Sequence, residues 1–138
     1  MIKRILVTVA ALTASAFAQS DFAVVVNKSN PATHITKVQL RRMVMGELNA
    51  WPAGGKVSAM LASVGDPART AMLKEICGMS ETDFGKYLAQ KAFGGDSNPP
   101  KVLPSTAVVV KVVNLTAGGI GIVAAGDIND TVKRLPVD

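Results

Sequence analysis

Side chains that carry chemistry are scarce in this sequence. There is one histidine, His34, and one cysteine, Cys77, far apart along the chain, so they form neither a metal-ligand spacing nor a nucleophile–base pattern. A lone cysteine also excludes an intramolecular disulfide. Aromatic residues make up only 4% of the sequence and the basic residues are scattered, which argues against a nucleic-acid binder with its stacking platforms and cationic stripes. No phosphate loop or dinucleotide fingerprint occurs: Gly118-Gly119-Ile120-Gly121 lacks the spacing and precedes an apolar strand where it should follow one. The acidic pairs Glu81 with Asp83, and Asp127 with Asp130, fall where a helix start and a turn are expected, not in an acid–base arrangement. His34 sits in a turn before a helix and reads as a solvated or capping residue. No catalytic centre, metal site or cofactor is implied.

What is present begins with an address. Lys3 and Arg4 form a positive segment, Ile5 to Ala14 an apolar one, and Ala16-Phe17-Ala18 a small-residue cleavage site, so residues 1–18 read as a secretory signal peptide. The apolar segment is shorter than the roughly 20 residues needed to span a bilayer. Cleavage after Ala18 leaves 120 residues, one domain's worth, and lowers the formal net charge from +5 to +3 by removing Lys3 and Arg4. The expected product is a periplasmic or secreted, soluble protein. Its mild positive excess is compatible with an anionic ligand without demonstrating one.

The remaining chain, 19–138, alternates strands with helices, the pattern of an α/β domain with a largely parallel sheet. Phe22 to Val26 is a continuous apolar run closed by Asn27 to Pro31, hence a buried strand. A first helix starts at Thr36, with Gln39 completing a capping box and Ile35 stapled to Leu40, and closes at Gly46. Lys56 to Leu61 reads as a second strand. A second helix opens at Asp66-Pro67 and ends at Gly78; Cys77 lies on its apolar side and reads as a buried inert thiol, with an intermolecular bridge as the alternative. A third runs from Ser80 to Gly94-Gly95 with a Met79–Phe84 staple, and Asp96 to Pro100 form a stiff loop. Thr131 to Val137 fits an edge strand.

The chain is organised around its region 105–124. Gly119 to Val123, with no charge, reads as a strand buried on both faces, and Gly118, Gly119 and Gly121 allow another element to come close. The preceding Val108-Val109-Val110-Lys111-Val112-Val113 is ambiguous. Its β-branched residues favour a strand, whereas the spacing of its valines and Ser105 as an N-cap fit a helix. Local propensity puts strand narrowly ahead.

One turn has the makings of a ligand site. Ser63-Val64-Gly65-Asp66-Pro67-Ala68-Arg69-Thr70 carries the end of a strand into a helix N-terminus, where free backbone N–H groups and the helix dipole attract anions. Ser63, Gly65, Arg69 and Thr70 are the candidate contacts.

Taken together, the strand FAVVVN, the helix ending at Met45-Gly46 with Trp51 beyond it, the Arg69 helix, the segment AFGGDSNPP, and VVVKVVN leading into TAGGIGIV resemble the substrate-binding protein of phosphate ABC transporters. The likeness runs from Phe22 to Val137 and implies one lobe of the type II periplasmic binding fold, a central largely parallel sheet flanked by helices. It turns 106–114 from strand to helix. It also implies an exported, non-enzymatic solute-binding role, with phosphate or another small anion as ligand and a membrane transporter or a second copy of the chain as partner. Two differences bear on the ligand. Such proteins close two lobes over phosphate, and they offer a Ser-Gly-Thr type turn where Asp66, Pro67 and Ala68 stand here. Asp66 would satisfy the helix amides itself, and Pro67 has no N–H to give. A protein-interaction module that has lost its ligand is therefore the alternative.

Overall fold

The computed structural model describes residues 21–95 and 98–138. In chain order the elements are β1 (Ala23–Asn27), α1 (Lys37–Val44), β2 (Ser58–Ala62), α2 (Pro67–Met72), a π-helical turn (Leu73–Cys77), α3 (Glu81–Phe93), β3 (Lys101–Leu103), α4 (Thr106–Leu115), β4 (Gly119–Val123), a 3-10 turn (Ala125–Asp127) and β5 (Val132–Arg134). The signal-peptide reading of 1–18 lies outside the described residues, as do Asp96 and Ser97 of the expected stiff loop.

Each helix starts where a polar cap residue permits. Thr36 Oγ1 accepts the Gln39 amide while the Gln39 side chain accepts the Thr36 amide, completing a capping box. Asp66, Ser80 and Ser105 each accept from the backbone N–H three residues on. The region 106–115 is helical despite its valines. Val109, Val110 and Val113 form one buried face of α4, and tertiary burial of that stripe overrides the β propensity of the separate residues.

The sheet has the order β3-β2-β4-β1-β5. Strand β2 pairs parallel with β3 and β4, whereas β1 pairs antiparallel with β4 and β5. Four strands therefore run one way, and only β1, inserted next to one edge, runs the other. The sheet is largely parallel, as expected, with one reversed strand. Strand β3 has no counterpart in the sequence reading. It is three residues long between Pro100 and Pro104, and its side chains are exposed or half-buried, so neither length nor alternation marks it.

Two cores sandwich the sheet. On one face Val24, Val26, Ala59, Leu61, Ile120 and Ile122 pack with α1, α2, the π-helical turn and Phe84 of α3. On the other, Val25, Met60 and Val123 pack with α4. Central β4 is buried along its whole length. Gly121 explains how α4 lies so close, since a Cβ there would stand 2.5 Å from Val109 Cγ1; just before β4, a Cβ on Gly118 would stand 1.8 Å from the carbonyl oxygen of Lys56 in the segment leading into β2. Trp51 Nε1 donates to the Gly118 carbonyl at 3.0 Å, tying the loop after α1 to the turn before β4.

Candidate functional site

The parallel strands β2 and β4 are neighbours, and the chain leaves β2 towards β3 on one side of the sheet order and β4 towards β5 on the other. Their carboxyl ends thus form a topological switch point, the crevice where open α/β sheets bind ligands. The turn Ser63–Asp66 leaves β2 at this place, so the fold puts the candidate turn where a ligand edge belongs. Gly65 shapes it with φ +92°, a left-handed conformation that glycine adopts without strain, and the Asp66 amide closes it on the Ser63 carbonyl at 3.0 Å.

Three donors of that turn, the Ser63 hydroxyl and the Arg69 amide and guanidinium, are occupied from within the chain. Asp66 Oδ2 accepts the Arg69 backbone N–H at 3.0 Å, placing a carboxylate at the helix start where an anion would otherwise sit. Ser63 Oγ donates to the Leu103 carbonyl at 3.1 Å and ties the turn to β3. Arg69 is only 6% exposed. Its Nε and Nη2 donate to the two carboxylate oxygens of Glu81 at 2.7 and 2.9 Å, its Nη1 donates to the Ala62 carbonyl at 3.0 Å, and its guanidinium lies 5.7 Å from the centre of the Phe84 ring. The guanidinium therefore points inward, and a planar bidentate pair of this kind leaves it little capacity for a further anion. Of the four candidate residues, Ser63, Gly65 and Thr70 are exposed and Arg69 is not. Ser63 and Gly65 share the turn; Thr70 instead lines an open groove of about 480 Å³ with Leu73, Lys74, Gly78, Met79, Ser80 and Glu81.

The N-terminus of α4 is likewise self-satisfied. Ser105 caps it, and the buried Thr106 hydroxyl donates to Asp127 of the 3-10 turn after β4. Glu81 and Asp127, read in the sequence as a helix-start and a turn residue, thus have additional work as partners of Arg69 and Thr106. No sequence signal links either pair; only the packing of α3 beside α2, and of the 3-10 turn beside α4, brings them together.

Cys77 is half-buried at the end of the π-helical turn, with Sγ 3.9 Å from Met72 Sδ. Burial pushes its thiol up to about 11, against the opposing pull of the Arg41 charge, so it stays protonated and unreactive at neutral pH. Among the described residues no three His, Cys, Asp or Glu side chains stand close enough to hold a metal ion, and no helix is long and apolar enough to cross a membrane.

Solved structures share the architecture. A protein of Clostridium perfringens assigned as a phosphate ABC transporter substrate-binding protein, with bound phosphate, superposes with a TM-score of 0.68 at 19% identity over 86% of this chain and 45% of its own. PstS from Borrelia burgdorferi gives 0.67 at 15% identity, over 86% of this chain and 47% of its own. An ABC-type phosphate transport receptor from Vibrio cholerae gives 0.61 at 19% identity, over 85% and 46%. The fold resembles that of one lobe of these phosphate-transporter binding proteins. This chain spans less than half the length of those structures. No protein-family model matches it, and no curated protein matches it. The likeness to this binding-protein lobe is therefore one of fold, carried by the order and packing of elements and not by sequence identity.

Proposed function

We propose that this chain is an exported, non-enzymatic binding-protein lobe that works through protein contacts and does not itself capture phosphate. One observation carries the reading: the Asp66 carboxylate accepts the Arg69 amide at the start of α2, at the edge where a ligand would bind. A fixed negative charge there repels an anion, and the amide it caps is no longer free to donate. Arg69, the nearest cation, is turned into the core and paired with Glu81, so it offers no charge-assisted contact to offset the cost of association.

Export rests on the signal-peptide pattern of residues 1–18, and a membrane transporter component is the protein partner that the shared fold favours. The competing reading is a solute-binding protein whose half-site at Ser63, Gly65, Arg69 and Thr70 is completed by a second lobe or copy. Its support is the position of that turn at the switch point, and the bound phosphate of the Clostridium perfringens structure.

Calorimetric titration with inorganic phosphate separates the two. The protein should show no binding tighter than millimolar, and Asp66→Ser, which replaces the carboxylate by a hydroxyl, should gain affinity. Micromolar binding by the unmodified protein would establish the solute-binding reading and remove the present one.

A further inference from the structure

We propose that the trough lined by Asn30, Pro31 and Trp51 docks a proline-rich segment of a partner protein, held as an extended polyproline II strand. The trough lies at the amino ends of β2 and β4, the opposite end of the sheet from the α2 turn, and shares no residue with the half-site there. Such docking rests on the protein-contact reading above and gives it a partner chemistry. Two hollows of about 360 and 170 Å³ adjoin across Asn30, Pro31 and Trp51. Pro52 and Ala53 flank the larger one, Gly54 and Gly118 the smaller. No Lys, Arg, Asp or Glu lines either, so the occupant that fits is uncharged where it touches them. The floor is fixed. Trp51 is 7% exposed and its indole N–H is held by the Gly118 carbonyl. His34, on the larger hollow, has Asp138 as its own neighbour, with Nδ1 3.5 Å from Oδ2.

The side-chain amides of this trough are left as donors. Asn30 Oδ1 accepts the Ala32 amide at 2.9 Å and Gln39 Oε1 accepts the Thr36 amide at 3.0 Å, which orients both carboxamides and leaves their NH2 groups over. Neither Nδ2 of Asn30 nor Nε2 of Gln39 has an acceptor among the described residues. Asn30 is only 7% exposed, yet its Nδ2 is not sealed from solvent, and the opening it lines is the trough. The acceptors alongside are already engaged. Lys133 Nζ, from outside the trough, donates to the carbonyls of Asn30 and Ala32 at 2.5 and 2.6 Å. The Trp51 carbonyl accepts the Gly54 amide, and that of Gly118 accepts both Trp51 Nε1 and the Ser58 amide. A matching ligand therefore brings acceptors and few donors. A sugar brings a hydroxyl donor with every acceptor, and each donor left unmet costs its desolvation. A proline segment carries a carbonyl on every residue, no N–H and an apolar ring, and it is extended before it binds. Aromatic-lined grooves take such segments for these reasons. The turn that presents Asn30 is anchored too: Asn27 Nδ2 donates to the carbonyls of Val113 and Asn114, each at 3.0 Å, so little ordering is left to be done on binding.

Trp51 is the one tryptophan of the sequence, so the protein reports on this site by its own fluorescence. The probe is an oligoproline of about nine residues, three turns of such a helix, titrated into the purified protein and followed by tryptophan emission and by anisotropy of a fluorescein label. A saturable change with a Kd below about 1 mM is expected, reversed by unlabelled peptide. Asn30→Asp and Gln39→Glu each keep the oxygen that accepts the local amide and exchange the free donor for an acceptor. Each should weaken binding at least about tenfold, a loss of roughly 1.4 kcal/mol, with an unchanged circular dichroism spectrum. Gln39 is half-buried and its capping oxygen is retained, so Gln39→Glu tests the idea even if Asn30→Asp fails to fold. No saturable response to oligoproline would overturn the proposal, as would binding that survives both substitutions. Saturable binding of maltohexaose in place of oligoproline would overturn it in favour of a sugar. The phosphate titration reads the α2 turn at the other end of the sheet, so phosphate binding without peptide binding, or the reverse, tells the two failures apart.

Discussion

Arg69 holds both carboxylate oxygens of Glu81 from within the core, at 2.7 and 2.9 Å, and so joins the start of α3 to the helix that follows β2. The two ends of the pair are unequal: the Arg69 side chain is 7% exposed and that of Glu81 26%. Removing the acid strands a buried cation. Glu81→Ala should therefore lower stability by roughly 3–5 kcal/mol, as for other buried pairs that lose one partner. Arg69→Met in the same background should recover part of the loss, because the charge and its unmet donors leave together. Urea unfolding of the two variants measures both effects. A cost under about 1 kcal/mol for Glu81→Ala, the size of a solvated surface pair, would mean that the guanidinium reaches water and is available to a ligand.

Asp66 holds the helix start one turn away. Asp66→Ala should cost about 1 kcal/mol, the usual worth of an N-cap, and Asp66→Ser only a few tenths, because serine caps nearly as well. Thermal melts decide this. If alanine is neutral, the carboxylate does not cap the Arg69 amide, and the case against phosphate loses its main support.

These two residues mark the boundary of what the sequence discloses. Asp66-Pro67 announces a helix start by local chemistry alone, and so do Thr36 with Gln39 and Ser80; all three stand as caps in the structure. The partner of Arg69 is set by how α3 packs against α2, and nothing in the spacing of Arg69 and Glu81 encodes it. The same distinction separates the strands. Continuous apolar β1 and β4 are legible because both their faces are buried, while the edge strand β3, bounded by prolines and half in water, carries no pattern to read. The π-helical turn is invisible for a third reason. Its residues keep a helical apolar face through Met72, Leu73 and Ile76, and one extra residue per turn does not disturb so short a period.

The glycines before and within β4 should be unequal under substitution. Gly121→Ala places a methyl 2.5 Å from Val109 Cγ1 and 3.0 Å from Val113 Cγ2, side-chain atoms on a helix that can shift. Its cost should be in the range of about 1–3 kcal/mol for overpacking a core. Gly118→Ala meets the Lys56 carbonyl oxygen at 1.8 Å, a backbone atom that cannot turn aside. It also displaces the carbonyl that accepts from Trp51 Nε1 and from the Ser58 amide, each at 3.0 Å. Gly118→Ala should be the worse of the two in denaturant unfolding, and its tryptophan fluorescence should move to longer wavelength as Trp51 gains water. Equal costs with unchanged fluorescence would show that the Lys56 backbone yields easily.

Cys77 supplies a pH dependence whose sign can be worked out. Burial raises the folded thiol from about 9 to about 11, so between these values the unfolded chain releases its proton first. The folded state then binds more protons than the unfolded one, and stability falls as pH rises. The thiol's contribution is flat below pH 9, is lost progressively towards pH 11 and levels off beyond. Lysines and tyrosines titrate in the same range, so the measurement is a difference: the urea midpoint of the protein minus that of Cys77→Ala, followed from neutral to strongly alkaline pH. That difference should be constant up to pH 9 and then shift against the protein that keeps the thiol. Alkylation by iodoacetamide should follow the same groups from the other side, slow at pH 8 in the folded protein and fast in urea, because only the thiolate reacts. A thiol that alkylates equally fast folded and unfolded at pH 8 would place Cys77 in water, outside the apolar layer beside Met72 and Ile76.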